Sequence, residues 1–422
     1  MSKVLLIANN SFSDSSNNGK TYEAIFSEFN KSDIAQLFFS QNENPDFKYC
    51  NNYFKITDKD VLFNFFSKVK RGEKLKNVKQ LNQRNENIIE HKKSKIFSFF
   101  QKKAGYLVLL RDFIWSFNTW KTKKLKNWIN DFNPDIIFFV GGDMEFPHII
   151  AKWVSQEYKI PLVIYFTDDY VIFPVNRNFL DKLKKKRANK FYIDTVKRSS
   201  LRFVIGDLMA KEYKNYFNCE FNSIMNSIEL TDFEEYIGGN DKLVISYFGG
   251  LHLNRWKMIC RLGKLLSDNY TINVYTIDTP SAEIINEFEI SKVNYCGAVR
   301  GNALRNKILE SDILLHVESD DEYYMNLTRL SVSTKIPEYL ISGRAILGFG
   351  PPELASMKIL SDNNIGFVIS SSDKNTEILN KIDIIYDFNF RKNMGINAYN
   401  YAHKYFNRKD IATKFKQRIE NL

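Results

Sequence analysis

Short apolar runs bounded by polar turns recur along this chain: KVLLIA at 3–8, DIIFFV at 135–140, LVIYF at 162–166, LVISYF at 243–248, ILLHV at 313–317 and AILGF at 345–349. Runs of this length read as parallel strands buried on both faces. Segments 34–39, 202–205, 271–275, 293–295 and 366–369 add further strands. Between them the apolar period lengthens to that of a helix. In 21–29, Tyr22, Ile25, Phe26 and Phe29 share one face, and 146–158, the stretch from Asp207, 255–267, 281–289, 301–310, 334–342 and 353–363 follow suit. A last amphipathic helix is expected at 410–422, with Ile411, Phe415 and Ile419 on one stripe. Strand–helix alternation on this scale predicts α/β architecture with parallel sheets.

The stretch 328–350, TRLSVSTKIPEYLISGRAILGFG, predicts a loop, a short helix and a buried strand. Ser333 or Thr334 is placed to cap the helix, Pro337 fits its first turn, and Gly343 ends it. Ile336, Tyr339 and Leu340 form the buried stripe and leave Glu338 unexplained by packing. A helix start preceded by Ser, Thr and Lys suits an anion, and a carboxylate one turn in suits neighbouring hydroxyls. A diphosphate beside a diol describes a sugar nucleotide. A surface helix with a dipole-compensating Glu is the plainer alternative.

At 422 residues the chain predicts two domains of about 200 residues each. The Gly238-Gly239-Asn240-Asp241 turn marks their boundary, giving an N-terminal domain 1–238, a second domain 239–400 and a terminal helix 401–422. Residues 58–130 read as a basic, helical insertion in the first domain. An apolar content of 44% is ample for two cores. No apolar run is long enough for a signal peptide or membrane span, and Cys50, Cys219, Cys260 and Cys296 lack metal spacing, so a cytoplasmic protein with reduced thiols is expected. No histidine pair signals zinc.

The first Rossmann-like unit opens with strand, polar loop and helix, but without G-x-G-x-x-G, which argues against a dinucleotide. Asn18, Gly19 and Lys20 lie in its first loop. Asp143, Asp168 and Asp169 end strands on the side where open α/β sheets bind ligands, and are candidates to hold or deprotonate a ligand hydroxyl. A capping role is equally open for each.

With these elements in order, the chain resembles the bacterial GT-B-fold glycosyltransferases, in particular family four and the capsule and surface-polysaccharide transferases. The resemblance rests on Tyr247-Phe248-Gly249-Gly250 with Arg255, on 293–297, on 309–315, on Ser333 to Gly343, and on 364–368. It implies two Rossmann-like domains facing across a cleft, with the terminal helix crossing back to the first. It implies a metal-independent hexosyltransferase that needs no cofactor, a nucleotide-sugar donor, and a glycan or lipid-linked acceptor. By the same resemblance Glu338 binds ribose and Arg255 and Lys335 hold the diphosphate, with Ser333 and Thr334 beside it. Gly249 and Gly250 admit the donor's approach, and Gly297 and Val299 belong to the base-binding loop. One position departs from the pattern: the family's E-x7-E motif calls for an acid where Leu330 stands. A nucleotide-sugar 2-epimerase and a non-catalytic subunit of the same fold are the rival readings. The D-x-D-like Asp143-Met144-Glu145 belongs to a different transferase fold and is set aside.

The net charge of +11 is uneven: residues 1–240 hold 37 Lys/Arg against 28 Asp/Glu, and residues 241–422 hold 23 against 21. Basic runs at 68–103 and 181–198, interleaved with Phe97, Phe99, Phe100, Trp115 and Trp120, are expected to face solvent or an anionic membrane. No nucleic-acid-binding motif accompanies the charge, so no nucleic-acid partner is expected.

Overall fold

The computed structural model describes residues 2–13, 17–41, 43–67, 69–75, 111–172, 179–238 and 241–422. The chain divides into two compact units, Met1–Ile224 with Ala412–Leu422, and Met225–Ile411.

The first unit contains β1 (Val4–Ala8), β2 (Ile34–Phe38), β3 (Asn52–Lys55), β4 (Glu73–Leu75), β5 (Ile136–Gly141), β6 (Leu162–Phe166), β7 (Leu201–Val204) and β8 (Asn222–Ser223). They form one sheet in the order β4-β3-β2-β1-β5-β6-β7-β8. Every pairing is parallel except β3 with β4. β1, β2, β5 and β6 are buried along their whole length, as strands covered on both faces must be. The strand order reverses between β1 and β5, so the loops after these strands flank that sheet's switch point.

The described part of the supposed insertion belongs to the sheet and its cover. Helix Asp58–Phe66 carries a capping box, with Thr57 and Asp60 satisfying each other's backbone N–H groups. β4 then pairs with β3, and helix Lys123–Phe132 buries Leu125, Trp128, Ile129 and Phe132 immediately before β5. Trp115 and Trp120, expected on a membrane-facing surface, are instead fully buried. Trp115 stacks on Phe146 at 3.9 Å and its Nε1 donates to Asp58 at 2.7 Å, so its ring is core and its N–H is satisfied. Phe97, Phe99, Phe100 and most of the 68–103 basic run lie outside the described residues.

The second unit contains β9 (Leu243–Phe248), β10 (Tyr270–Tyr275), β11 (Val293–Gly297), β12 (Ile313–Val317), β13 (Ala345–Gly350) and β14 (Phe367–Ser370). The sheet is wholly parallel, in the order β11-β10-β9-β12-β13-β14, with its switch point between β9 and β12. Apolar clusters cover both faces. One is built on Ile245, Leu315, Leu347 and Ile259, the other on Phe248, Leu314, Ile346 and Leu340. Residues 225–238 pack on this unit, so the division falls before the glycine-rich turn rather than at it. Phe233 contacts Tyr399, the Tyr399 hydroxyl donates to Thr231 O, and Arg344 Nη1 donates to Glu234 O at 2.9 Å.

Helix Arg408–Glu420 begins in the second unit, and from Ala412 onward the chain packs into the first. There Phe415 meets Phe26, Phe138 and Phe203 with ring centroids 5.2–5.7 Å apart. The expected helix that crosses back is present.

Candidate functional site

β9 and β12 are both apolar and end at the same edge of the second sheet, and each hands over to polar residues there. After β9 come Gly249, Gly250 and His252, and then two consecutive left-handed residues, Leu253 (φ 61) and Asn254 (φ 57). Leucine in this region is strained, and the strain is tolerated because the surrounding contacts over-determine the turn. The turn starts helix Arg255–Leu265 with Arg255 as its first residue. After β12 comes Glu318.

Arg255 and Glu318 meet across this switch point. Arg255 Nε donates to Oε2 at 3.3 Å, and Nη2 donates to Oε1 at 3.0 Å and Oε2 at 3.1 Å. The side chains are 17% and 4% exposed, so this is a buried pair with little solvent screening. Burial pushes the Glu318 carboxyl up and Arg255 pulls it part of the way back. Burial works against the Arg255 charge too, and Glu318 together with the Tyr247 hydroxyl more than offsets it, leaving the guanidinium raised.

His316, on β12, is buried, with Nε2 3.7 Å from Glu318 Oε1 and without a hydrogen-bond partner among the described residues. Burial pushes its pKa down to about 3, and the charges of Arg255 and Lys335 push the same way. His252 is lowered by burial and by the same two cations. The charges of Lys335 and Arg255 therefore both reach these two rings.

Gly249 and Gly250 have a local reason to be glycine. A Cβ on Gly249 would lie 2.6 Å from the Tyr247 hydroxyl oxygen, and one on Gly250 would lie 2.4 Å from His252 Nδ1. The Tyr247 hydroxyl donates to Gly250 O at 2.7 Å, and Leu251 N donates to Asp278 at 2.6 Å, which fixes the loop.

The helix carrying Glu338 runs Ile336–Ile341, shorter than the 334–342 span expected. Lys335 is its N-cap residue, and Ser333 Oγ accepts from Lys335 N at 3.4 Å; no side chain caps the helix itself. Six residues make a small dipole, so the lysine and arginine carry most of the positive field. Tyr339 fixes this helix: Phe248 N donates to its hydroxyl at 3.1 Å. Glu338, one residue earlier, faces elsewhere. With Gly301, Leu304, Ile308 and Ser342 it lines a pocket of about 170 Å³ that Ile228, Thr231 and Glu234 also border. Gly297 (φ 74) has open space where a Cβ would be, and Val299 is partly buried on the same loop. Leu330 is fully buried, so the E-x7-E position is a packing site.

In the first unit, Asp143 and Asp168 come together around Tyr170, whose pKa is raised by burial first and by both carboxylates next. Asp169 differs from them in its contacts. Its Oδ1 accepts from Val171 N, Ile172 N and the Tyr213 hydroxyl at 2.9–3.0 Å, and it is 4% exposed, a structural cap in a buried loop. Glu145 is buried against Arg187 at 3.2 Å. Asn18 donates to Asn10 at 3.2 Å beside the end of β1, Gly19 is buried, and Lys20 is exposed. Among the described residues, no cluster of three His, Cys, Asp or Glu could hold a metal.

Two residues here have no counterpart in the sequence analysis, Glu318 as the partner of Arg255 and His316 as a buried ring whose Nε2 lacks a hydrogen-bond partner among the described residues. The available signal was position, since both end a buried strand at a switch point.

The histidines give a testable pH dependence. His148 in the first unit is likewise fully buried and pushed down to about 3 by burial. An unfolded histidine takes up a proton below about pH 6.5 while these folded ones do not, so stability is full above 6.5 and lost as pH falls toward 3. Each unit is expected to lose about 1 kcal/mol between pH 7.5 and 5.5. Urea unfolding at the two values checks this, and midpoints that do not move would contradict neutral, buried rings.

No protein-family profile and no curated protein matches the chain. Solved structures do. HepE from Anabaena, in complex with UDP, matches over 100% of both chains at 10% identity with a TM-score of 0.62. Sucrose-phosphate synthase from Thermosynechococcus elongatus matches over 99% of this chain and 98% of its own at 10% identity and 0.64. WaaG, a glycosyltransferase involved in lipopolysaccharide biosynthesis, matches over 97% and 99% at 11% identity and 0.56. What the chain shares with these proteins over its whole length is architecture: two parallel-sheet α/β units make the GT-B fold.

Proposed function

We propose that the protein is a glycosyltransferase that moves a sugar from a nucleotide diphosphate sugar to a hydroxyl acceptor, in surface-polysaccharide or lipid-linked glycan assembly. The observation that carries this reading is Arg255 at the switch point of the second sheet, with Lys335 near enough that both charges act on His252 and His316, within a GT-B fold. The departing nucleoside diphosphate gains negative charge, and preorganised cations lower the barrier to its departure. Glu338 accepts from the ribose hydroxyls, with Gly297 and Val299 toward the base and Ser333 and Thr334 toward the phosphates. Asp143 or Asp168 holds or deprotonates the acceptor hydroxyl, and Asn18 to Lys20 complete the acceptor side. Asp169 is withdrawn from that role by its capping contacts.

Thermal-shift screening with UDP, UDP-glucose and other nucleotide sugars, followed by transfer assays with and without EDTA, tests this. A ligand at 100 times its dissociation constant adds about 2.7 kcal/mol of stability, and transfer is expected to survive the chelator. Activity that vanishes with EDTA and returns with manganese would refute the metal-independent reading. A non-catalytic subunit would bind nucleotide without turnover, and a 2-epimerase would turn over without an acceptor.

The acceptor side is proposed to rest on an anionic membrane surface. Phe65, Phe66, Phe113 and Phe117 are exposed, and their rings touch at centroid distances of about 5.0 Å. Exposed Lys70, Arg71, Lys121, Lys123 and Lys124 lie nearby in sequence. Aromatic side chains with flanking cations suit an interface, each cation near the surface contributing about 1 kcal/mol. No helix among the described residues is long and apolar enough to cross a membrane. Sedimentation with phosphatidylglycerol vesicles is expected to show salt-sensitive binding that falls in a Phe66→Ser, Phe117→Ser variant. Absence of pelleting at low salt would refute the contact.

A further inference from the structure

We infer that Glu318 is a positioning residue that holds the Arg255 guanidinium by one edge so that its other edge is presented to the donor diphosphate. The inference rests on the donor reading above and adds to it a carboxylate that the family-like motifs did not indicate.

The carboxylate holds one side of the guanidinium only. Glu318 takes the Nε and Nη2 edge, while Nη1, with its two N–H groups, makes none of the contacts to the carboxylate; the Tyr247 hydroxyl, itself held on Gly250 O, is a further hydrogen-bonding neighbour of the guanidinium. Both side chains are largely removed from water, so the pair fixes a long side chain that would otherwise sample many rotamers. Arg255 also sits directly after the left-handed pair Leu253 and Asn254, which commits the backbone to one direction at this point. His316 Nε2, without a hydrogen-bond partner among the described residues, lies 3.7 Å from the same carboxylate, too far to compete with Arg255 for Glu318.

A carboxylate beside an anion site has an opposing effect, because it repels the ligand and cancels the cation. The two effects differ in sign. If neutralisation dominated, removing the Glu318 charge would tighten anion binding; if positioning dominates, it loosens it.

The experiment is calorimetry of inorganic pyrophosphate and UDP binding to the full chain, as wild type, Glu318→Gln, Arg255→Gln and the double variant. Glu318→Gln is expected to weaken both probes at least tenfold, and Arg255→Gln to weaken them further. The double variant is expected to bind no more weakly than Arg255→Gln, because Glu318 acts through Arg255. A Glu318 that serves only the fold would cost affinity again in the Arg255→Gln background, which would overturn the inference, as would unchanged or tighter binding in Glu318→Gln. Arg255→Lys keeps the charge but not the two-pronged contact, and provides a second route should Glu318→Gln fold poorly. It too is expected to lose at least tenfold, and full affinity would overturn the inference. Wild-type protein that binds neither probe would remove the donor reading itself, whereas wild-type binding with an unaffected Glu318→Gln removes only the role of Glu318.

Discussion

Arg255→Ala is expected to lower the stability of the second unit by about 3–5 kcal/mol, the usual result of stranding one member of a buried ion pair. The stranded group is Glu318, 4% exposed and next to a histidine that burial keeps neutral. Protonation would relieve it, so the loss should shrink as pH falls toward the raised carboxyl pKa. Denaturant unfolding followed through the second unit measures the loss, and Glu318→Gln in the same background should recover most of it. A variant as stable as wild type would mean that water reaches Glu318 and that the pair is a surface contact.

Glu338→Ala is the complementary case, with a large effect on binding and little on folding. Glu338 is partly exposed and lines a pocket rather than the core. Loss of hydrogen bonds from ribose hydroxyls to a charged acceptor should cost about 1.5–3 kcal/mol, or roughly 10- to 150-fold in affinity for a nucleoside diphosphate. Inorganic pyrophosphate has no ribose and should bind Glu338→Ala as it binds wild type. Equal losses for the two ligands would move Glu338 from the ribose to the phosphates; no loss for either would take it out of the donor site.

The strands that were legible in the sequence are those buried on both faces. β1 and β6 are continuous apolar runs with polar ends, β9 and β12 are broken only by Ser246 and His316, and the structure reproduces all four within a residue. β3, β4 and β8 have only four, three and two residues, too few for any period to emerge. Helix Lys123–Phe132 was absorbed into a supposed insertion because its lysines dominate the composition, although its buried Leu125, Trp128, Ile129 and Phe132 fall on one helical face. Basic composition likewise drew attention to 181–198, which lies in the single helix Phe179–Arg198.

The candidate site divides along a similar line. Lys335 and Glu338 are suggested as candidates by the local pattern of 328–350, and Arg255 by the resemblance alone. The Arg255–Glu318 pair spans 63 residues and depends on which strands adjoin, which no local pattern records. Asp168 and Asp169 are indistinguishable as letters. Only the turn that aims Asp169 at Val171 and Ile172 N–H tells them apart.

The crossing of the terminal helix has a consequence for biosynthesis. Phe415 completes an aromatic cluster with Phe26, Phe138 and Phe203, yet it is translated after the whole of Met225–Ile411. The second unit is one continuous segment and can close as it leaves the ribosome. The first unit, although its strands are made earlier, must wait for residues 412–419 before its core is whole. Order of synthesis and order of completion are therefore reversed between the two units, and the first spends the longer time with phenylalanines of its core uncovered.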